Sequence, residues 1–228
     1  MKFKIPFILV PIIVISVAAW VLTRPETYEH ASITIVSAIE KGDAKSLIGY
    51  ISDEEQKETN RNEQTVERLL AFWQSKCNGF KRTLDMPVKQ GLYSAYMAHV
   101  YTAEDGRKTS ISFAMRRENG RVVAYTLTNA IVGSALHADW PATEVYPNDS
   151  RRNLFYIAEY ERERSNLEQT GVTGMQMDGD EESTFQTRSW TEYVQFMKDF
   201  QVKWERENVD EAVALHNLTD RNPLYAQN

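Results

Sequence analysis

The chain has 228 residues, 42% of them hydrophobic, 25% charged and 11% aromatic, enough bulky apolar surface for an ordinary globular core. Its net charge is −6, and beyond Lys2 and Lys4 it carries 24 bases against 32 acids, so the body has no electrostatic footprint for nucleic acid or for an anionic membrane surface. The single cysteine, Cys77, excludes an internal disulfide and any multi-cysteine metal knuckle, and reads as a small core residue.

The opening "MKFKIPFILVPIIVISVAAWVL" places two lysines before an uncharged run from Ile5 to Leu22. Eighteen helical residues span roughly 27 Å at 1.5 Å per residue, close to the hydrocarbon thickness of a bilayer. Two readings stand: an uncleaved anchor through residues 5–22, or a signal segment cleaved near Ala18 or Ala19. The length of the run and the interfacial Trp20 favour the anchor. Lys2 and Lys4 outweigh Arg24 on the far side, so the N-terminus is expected in the cytoplasm and the body outside it, at the cell membrane.

Next, the spacing predicts a helix from Tyr28 to Lys41 with Ile35, Ala38 and Ile39 inward. Gly42 can end it in a left-handed conformation, and Asp43 can cap the next helix, which carries Ala44, Leu47, Ile48 and Ile51. Ser52 and Glu55 form a capping-box pattern. A stronger helix follows from Asn62, with Val66, Leu69, Leu70, Trp73 and Cys77 on one stripe, stopped by Asn78-Gly79.

The period then changes to two. Leu92–Ala103, Arg107–Arg117 and Arg121–Val132 alternate and read as three strands, joined by the turns "EDG" and "ENG", with a weaker strand over Lys81–Lys89. The turn "ENG" admits a two-residue turn pairing Glu118 with Arg121 or a three-residue loop pairing Arg117 with Arg121. Apolar matching selects the second register. The buried face then runs Met97-Phe113-Tyr125, His99-Ile111-Leu127 and Tyr101-Thr109-Asn129, apolar at one end and polar at the other. His99, Tyr101, Thr109 and Asn129 become the candidate ligand-binding residues at the open end, and no carboxylate enters that face. His99 itself is read first as a core histidine bonded to Tyr101 or Asn129, ahead of ligand binding.

The tail is expected to be helical, from Arg151 to about Glu168. After the glycine- and acid-rich break "GVTGMQMDGDEES" it resumes from Ser189 to Asn208. Trp190, Met197, Phe200 and Trp204 fall on one aromatic stripe of this last helix, which packs on the domain or meets a protein partner, a homodimer included.

Two helices joined at "EKGD", a further helix and an antiparallel meander resemble the nuclear transport factor 2-like superfamily, over about Tyr28 to Val132. The stretch "AIEKGDAKSLIGYIS" is similar to the opening helices of exported members. The resemblance implies a cone-shaped α+β domain, with helices packed on a curved antiparallel sheet, in a superfamily that holds isomerases, dehydratases and noncatalytic binding modules. The expected organisation is an N-terminal transmembrane helix or signal segment over 1–24, the α+β cone over 26–140 and a C-terminal helical extension over 141–228.

No phosphate-binding loop, dinucleotide fingerprint, serine elbow or zinc motif is present, and the four histidines lack metal-ligand spacing. No cofactor and no metal are expected. The reading is a membrane-anchored extracytoplasmic binding or assembly module without chemistry of its own. The alternative is a small-molecule isomerase or dehydratase working inside the cone, which needs a carboxylate on the concave face as general base.

Overall fold

The computed structural model of the protein describes residues 26–58, 60–90, 94–140, 149–172, 174–178 and 185–208. The apolar run 5–22 lies outside them, and among the described residues no helix is long and apolar enough to cross a membrane.

The fold is α+β. Helix α1 (Tyr28–Lys41) is capped by Thr27, whose side chain accepts from the His30 amide, and it ends where Gly42 takes φ 69°. The Asp43 amide reaches back to the Ala38 carbonyl at 2.8 Å, while its carboxylate accepts from the Ser46 amide at 3.0 Å. One residue therefore closes α1 and opens α2 (Ala44–Ile48), which explains how a helix stops and restarts within two positions. After α3 (Asp53–Glu58), helix α4 (Glu63–Lys76) starts at a reciprocal capping box between Asn62 and Thr65.

Four strands form an antiparallel sheet in chain order: β1 (Lys81–Gln90), β2 (Ala95–Thr102), β3 (Lys108–Glu118) and β4 (Arg121–Tyr125). The β2–β3 register is the expected one, with Met97 opposite Phe113, His99 opposite Ile111 and Tyr101 opposite Thr109. The β3–β4 register is not. Glu118 pairs with Arg121 across a two-residue turn in which Asn119 has φ 50° and Gly120 φ 84°. Both central residues sit at positive φ, as the turn matching strand twist requires, so turn chemistry overrides the apolar matching that favoured a three-residue loop.

The strand expected over Arg121–Val132 also stops early. Thr126 turns left-handed at φ 57°, and the chain continues as helix α5 (Leu127–His137). The N-terminus of α5 has no cap from Thr126; instead the buried Glu55 carboxylate accepts from the amides of Leu127 at 3.1 Å and Thr128 at 2.9 Å. A carboxylate at a helix N-terminus satisfies orphan donors and meets the positive end of the dipole. The Ser52 hydroxyl accepts from the Glu55 amide at 3.2 Å, as the capping pattern predicts, but the Glu55 side chain does not return to it.

Helix α5 lies against β3 and α4, and α6 (Asp149–Gln169) lies against α4, α5 and the last helix. The break after α6 contains a hairpin, β5 (Gly174–Asp178) with β6 (Phe185–Ser189). Helix α7 (Trp190–Glu207) then begins at a Ser189–Glu192 capping box. One buried cluster joins α1, α4, α5 and the inner sheet face to Tyr160, Leu167, Val172 and Trp190 of the extension.

Candidate functional site

Alternation along β2 and β3 turns Met97, His99, Tyr101, Thr109, Ile111 and Phe113 toward the helices. His99, Tyr101 and Thr109 are all buried there. The fourth candidate, Asn129, is on α5 rather than on a strand, and so does not continue the Tyr101–Thr109 rung. Helix α5 fills the space an open cone would leave. Thr109 donates to the Ser134 carbonyl at 2.7 Å, the Trp73 indole donates to the Ser134 hydroxyl at 3.2 Å, and Tyr101 meets Trp73 edge-on at 5.5 Å.

The partners of His99 differ from those expected. Its Nδ1 lies 2.7 Å from Asp85 Oδ1 and its Nε2 2.7 Å from Ser32 Oγ. A carboxylate only accepts, so Nδ1 carries the proton and Nε2 accepts from the serine. Burial lowers the His99 pKa, a shift that the hydrogen bond and charge of Asp85 partly offset. The ring is therefore neutral at neutral pH.

Tyr101 donates to Glu40 Oε1 at 3.0 Å, and Arg82 Nε reaches the same oxygen at 3.3 Å. Burial first, then the Glu40 charge, raises the Tyr101 pKa. Two carboxylates, Asp85 from β1 and Glu40 from α1, thus border a face expected to hold none. Asp85 arrives there because β1 pairs it directly with His99, a register that the sequence leaves open. Ser32, Glu40 and Arg82 belong to the same network, and only their spacing along α1 and β1 hinted at it.

Ser32, His99 and Asp85 have the connectivity of a hydrolytic triad, but the burial is inverted. Ser32 is 0% exposed in mid-helix, whereas the Asp85 side chain is 42% exposed. A nucleophile must face substrate and its orienting acid must be shielded. The arrangement instead ties α1 to the edge strand, with Arg82–Glu40–Tyr101 as a second tie.

A groove of about 590 Å³ lies elsewhere, between α4 and α6, with Arg68, Phe72, Lys76, Glu163 and Asn166 among its walls. Lys76 bridges Glu163 at 2.5 Å and Asp139 at 3.1 Å, and Arg162 pairs with Asp139 and with Glu159. Burial raises the Glu159 carboxyl to about 7, against the opposing charge of Arg162. Among the described residues no three His, Cys, Asp or Glu side chains converge on a metal-sized site.

The outer face of the sheet has a different character. Leu84, Val100 and Ser110 form one cross-strand row, and Met86, Ala98 and Ser112 the next. Lys89, Tyr96, Ala114 and Tyr125 form the third. The first two rows hold no charged residue, whereas in the third Lys89 pairs with Tyr96 and the Arg116 guanidinium lies 5.4 Å above the Tyr125 ring. Leu84 is 56%, Met86 43% and Tyr96 49% exposed, three of the six large apolar side chains exposed among the described residues.

The aromatic stripe of α7 divides along its length. Trp190 is buried against Tyr160 and donates to the Val172 carbonyl at 2.8 Å, whereas Met197 and Trp204 are half-buried and Phe200 is exposed.

No family model, curated protein or solved structure matches this chain.

Proposed function

We propose that the chain is a membrane-anchored, extracytoplasmic binding or assembly module of the nuclear transport factor 2-like kind, without catalysis of its own. The observation that carries this reading is the outer sheet face, on which the large apolar side chains Leu84, Met86 and Tyr96 are all exposed. Contiguous exposed apolar surface is costly in a monomer and marks an interaction site. The filled interior agrees, since His99, Tyr101 and Thr109 spend their polar atoms on other residues of the chain. The partner is a second copy, because the rows of Leu84 and Met86 hold no charged residue and bring no like-charge repulsion when they meet themselves. The anchor is residues 5–22, with the body outside the cytoplasm. Sedimentation velocity of the detergent-solubilised full chain tests the contact: Leu84→Lys with Tyr96→Lys should convert a dimer to a monomer. A wild-type chain that is monomeric throughout a concentration series would refute it.

A second reading, an isomerase or dehydratase, is favoured by one observation. Asp85 is a solvent-reached carboxylate 2.7 Å from a histidine, the pairing a general base uses. Both described acids are already engaged by Arg82, which places this reading second.

A further inference from the structure

The anchor reading has a geometric consequence, because the body is tied down very close to where the apolar run stops. Leu22 and Glu26 are four residues apart, so their Cα atoms lie at most about 14 Å from each other whatever the conformation between them.

Glu26 itself is held at one end of the sheet. Arg117 near the end of β3 donates to the Glu26 carbonyl, and Tyr50 donates to its carboxylate at 2.7 Å. The Arg117 guanidinium also lies 5.5 Å above the Tyr28 ring, fastening the first turn of α1 to the same place. This end carries the Asn119-Gly120 turn, and Arg121 beside it pairs with Asp53 at 2.5 Å.

The other end of β3 leads into the turn Glu104–Gly106. Strand β3 has 11 residues, which separates the two ends by roughly 33 Å at 3.3 Å per residue. That separation exceeds the reach of the four-residue tether more than twofold, so the tether obliges only the Asn119-Gly120 end to lie near the membrane. Arg117 is exposed and makes no ion pair among the described residues, its guanidinium bonding the Glu26 and Gly120 carbonyls and so holding this end of the sheet to the start of the body.

We infer that the Asn119-Gly120 end of the sheet, with Arg117, Tyr28 and Asp53–Arg121, is a second interaction surface, and that it rests on the phospholipid headgroups. The Glu104–Gly106 turn points away from the bilayer. This inference rests on the anchor reading and adds an orientation to it. The strands then run away from the membrane, and the outer sheet face looks sideways along it toward a neighbouring copy anchored in the same leaflet.

Fluorescence quenching by headgroup-attached nitroxide tests the orientation in the full-length chain, reconstituted in phosphatidylcholine–phosphatidylglycerol vesicles. A fluorophore is placed on Asn119→Cys, on Asp53→Cys at the same end, or on Glu104→Cys at the other. Cys77 does not compete, being buried with its thiol pushed up to about 12. Quenching should be at least several-fold stronger at Asn119 and Asp53 than at Glu104. Equal or reversed quenching in chains that float with the vesicles overturns the orientation and leaves the anchor standing. Chains that fail to float overturn the anchor, and the orientation falls with it.

Discussion

The carboxylate of Glu55 holds the amide of Thr128 at 2.9 Å across 73 residues of sequence. With the parallel contact to Leu127, this bond starts α5, and α5 is what fills the concave side of the sheet. Arg61 lies beside it, donating to the Thr128 hydroxyl at 2.6 Å, and burial lowers the Arg61 pKa to about 10, an effect the Glu55 charge opposes.

Glu55→Ala should therefore strand two buried amides and weaken the setting of a buried arginine. The expected loss is about 3–5 kcal/mol, the range for breaking a buried charged pair. At roughly 2–4 °C per kcal/mol for a chain of this size, Tm falls by about 6–20 °C in circular dichroism melts. A fall under 2 °C would show that α5 is held elsewhere.

Gly42→Val tests the corner between α1 and α2. The residue has φ 69°, and an added Cβ would stand 2.9 Å from Gln74 Nε2. The amide end of Gln74 can move, so the backbone strain dominates, and a loss of about 1–2 kcal/mol is expected in urea unfolding. Gly42→Asn should cost less, since asparagine tolerates the left-handed region.

These two sites show why legibility differed across the fold. The Gly42-Asp43 corner, the Asn62 cap and the start of α7 at Ser189 are local, written in residues three or four positions apart. The β2–β3 register was also legible, because both strands alternate cleanly. Helix α5 was not, because Val122 to Leu127 alternates as a strand would, while the group that converts the following residues to a helix is Glu55, distant in sequence. Asp85 was missed at the site for the same reason. It reaches His99 only through the pairing of an edge strand with two register shifts.

His99 makes a pH prediction with a definite sign. Its folded pKa lies below the ordinary 6.5, with burial the first cause, so the folded state binds fewer protons than the unfolded chain in that window. Its contribution to stability is full above pH 6.5 and is lost as pH falls through 6.5 toward the lower folded value. The difference in unfolding free energy between wild type and His99→Gln should shrink over that range. A difference independent of pH would contradict the neutral, buried ring.

Glu159 acts in the opposite direction. Burial first, with Asp139 and Glu163 also contributing, raises its carboxyl from 4.5 to about 7. Stability is fully present below 4.5 and declines as pH rises through 7, where the buried group must ionise. Glu159→Gln should flatten that decline in Tm measured from pH 4.5 to 8, and an unaltered slope would place the titration on another residue.

Trp190 packs on Tyr160 with ring centroids 6.3 Å apart and is buried. Trp190→Ala should cost about 3–5 kcal/mol and expose the base of α7 to proteolysis. Phe200→Ser, at an exposed position, should change stability by no more than about 0.5 kcal/mol.

Proximity cross-linking of the full chain in its membrane distinguishes the outer sheet face from the interior as the working surface. Tyr96→Cys puts a thiol on the outer sheet face, and Glu104→Cys puts one on the highly exposed β2–β3 turn. With a short bismaleimide Tyr96→Cys should give a covalent dimer and Glu104→Cys little. Monomer alone from Tyr96→Cys, or equal dimer from both, would contradict the sheet-face contact.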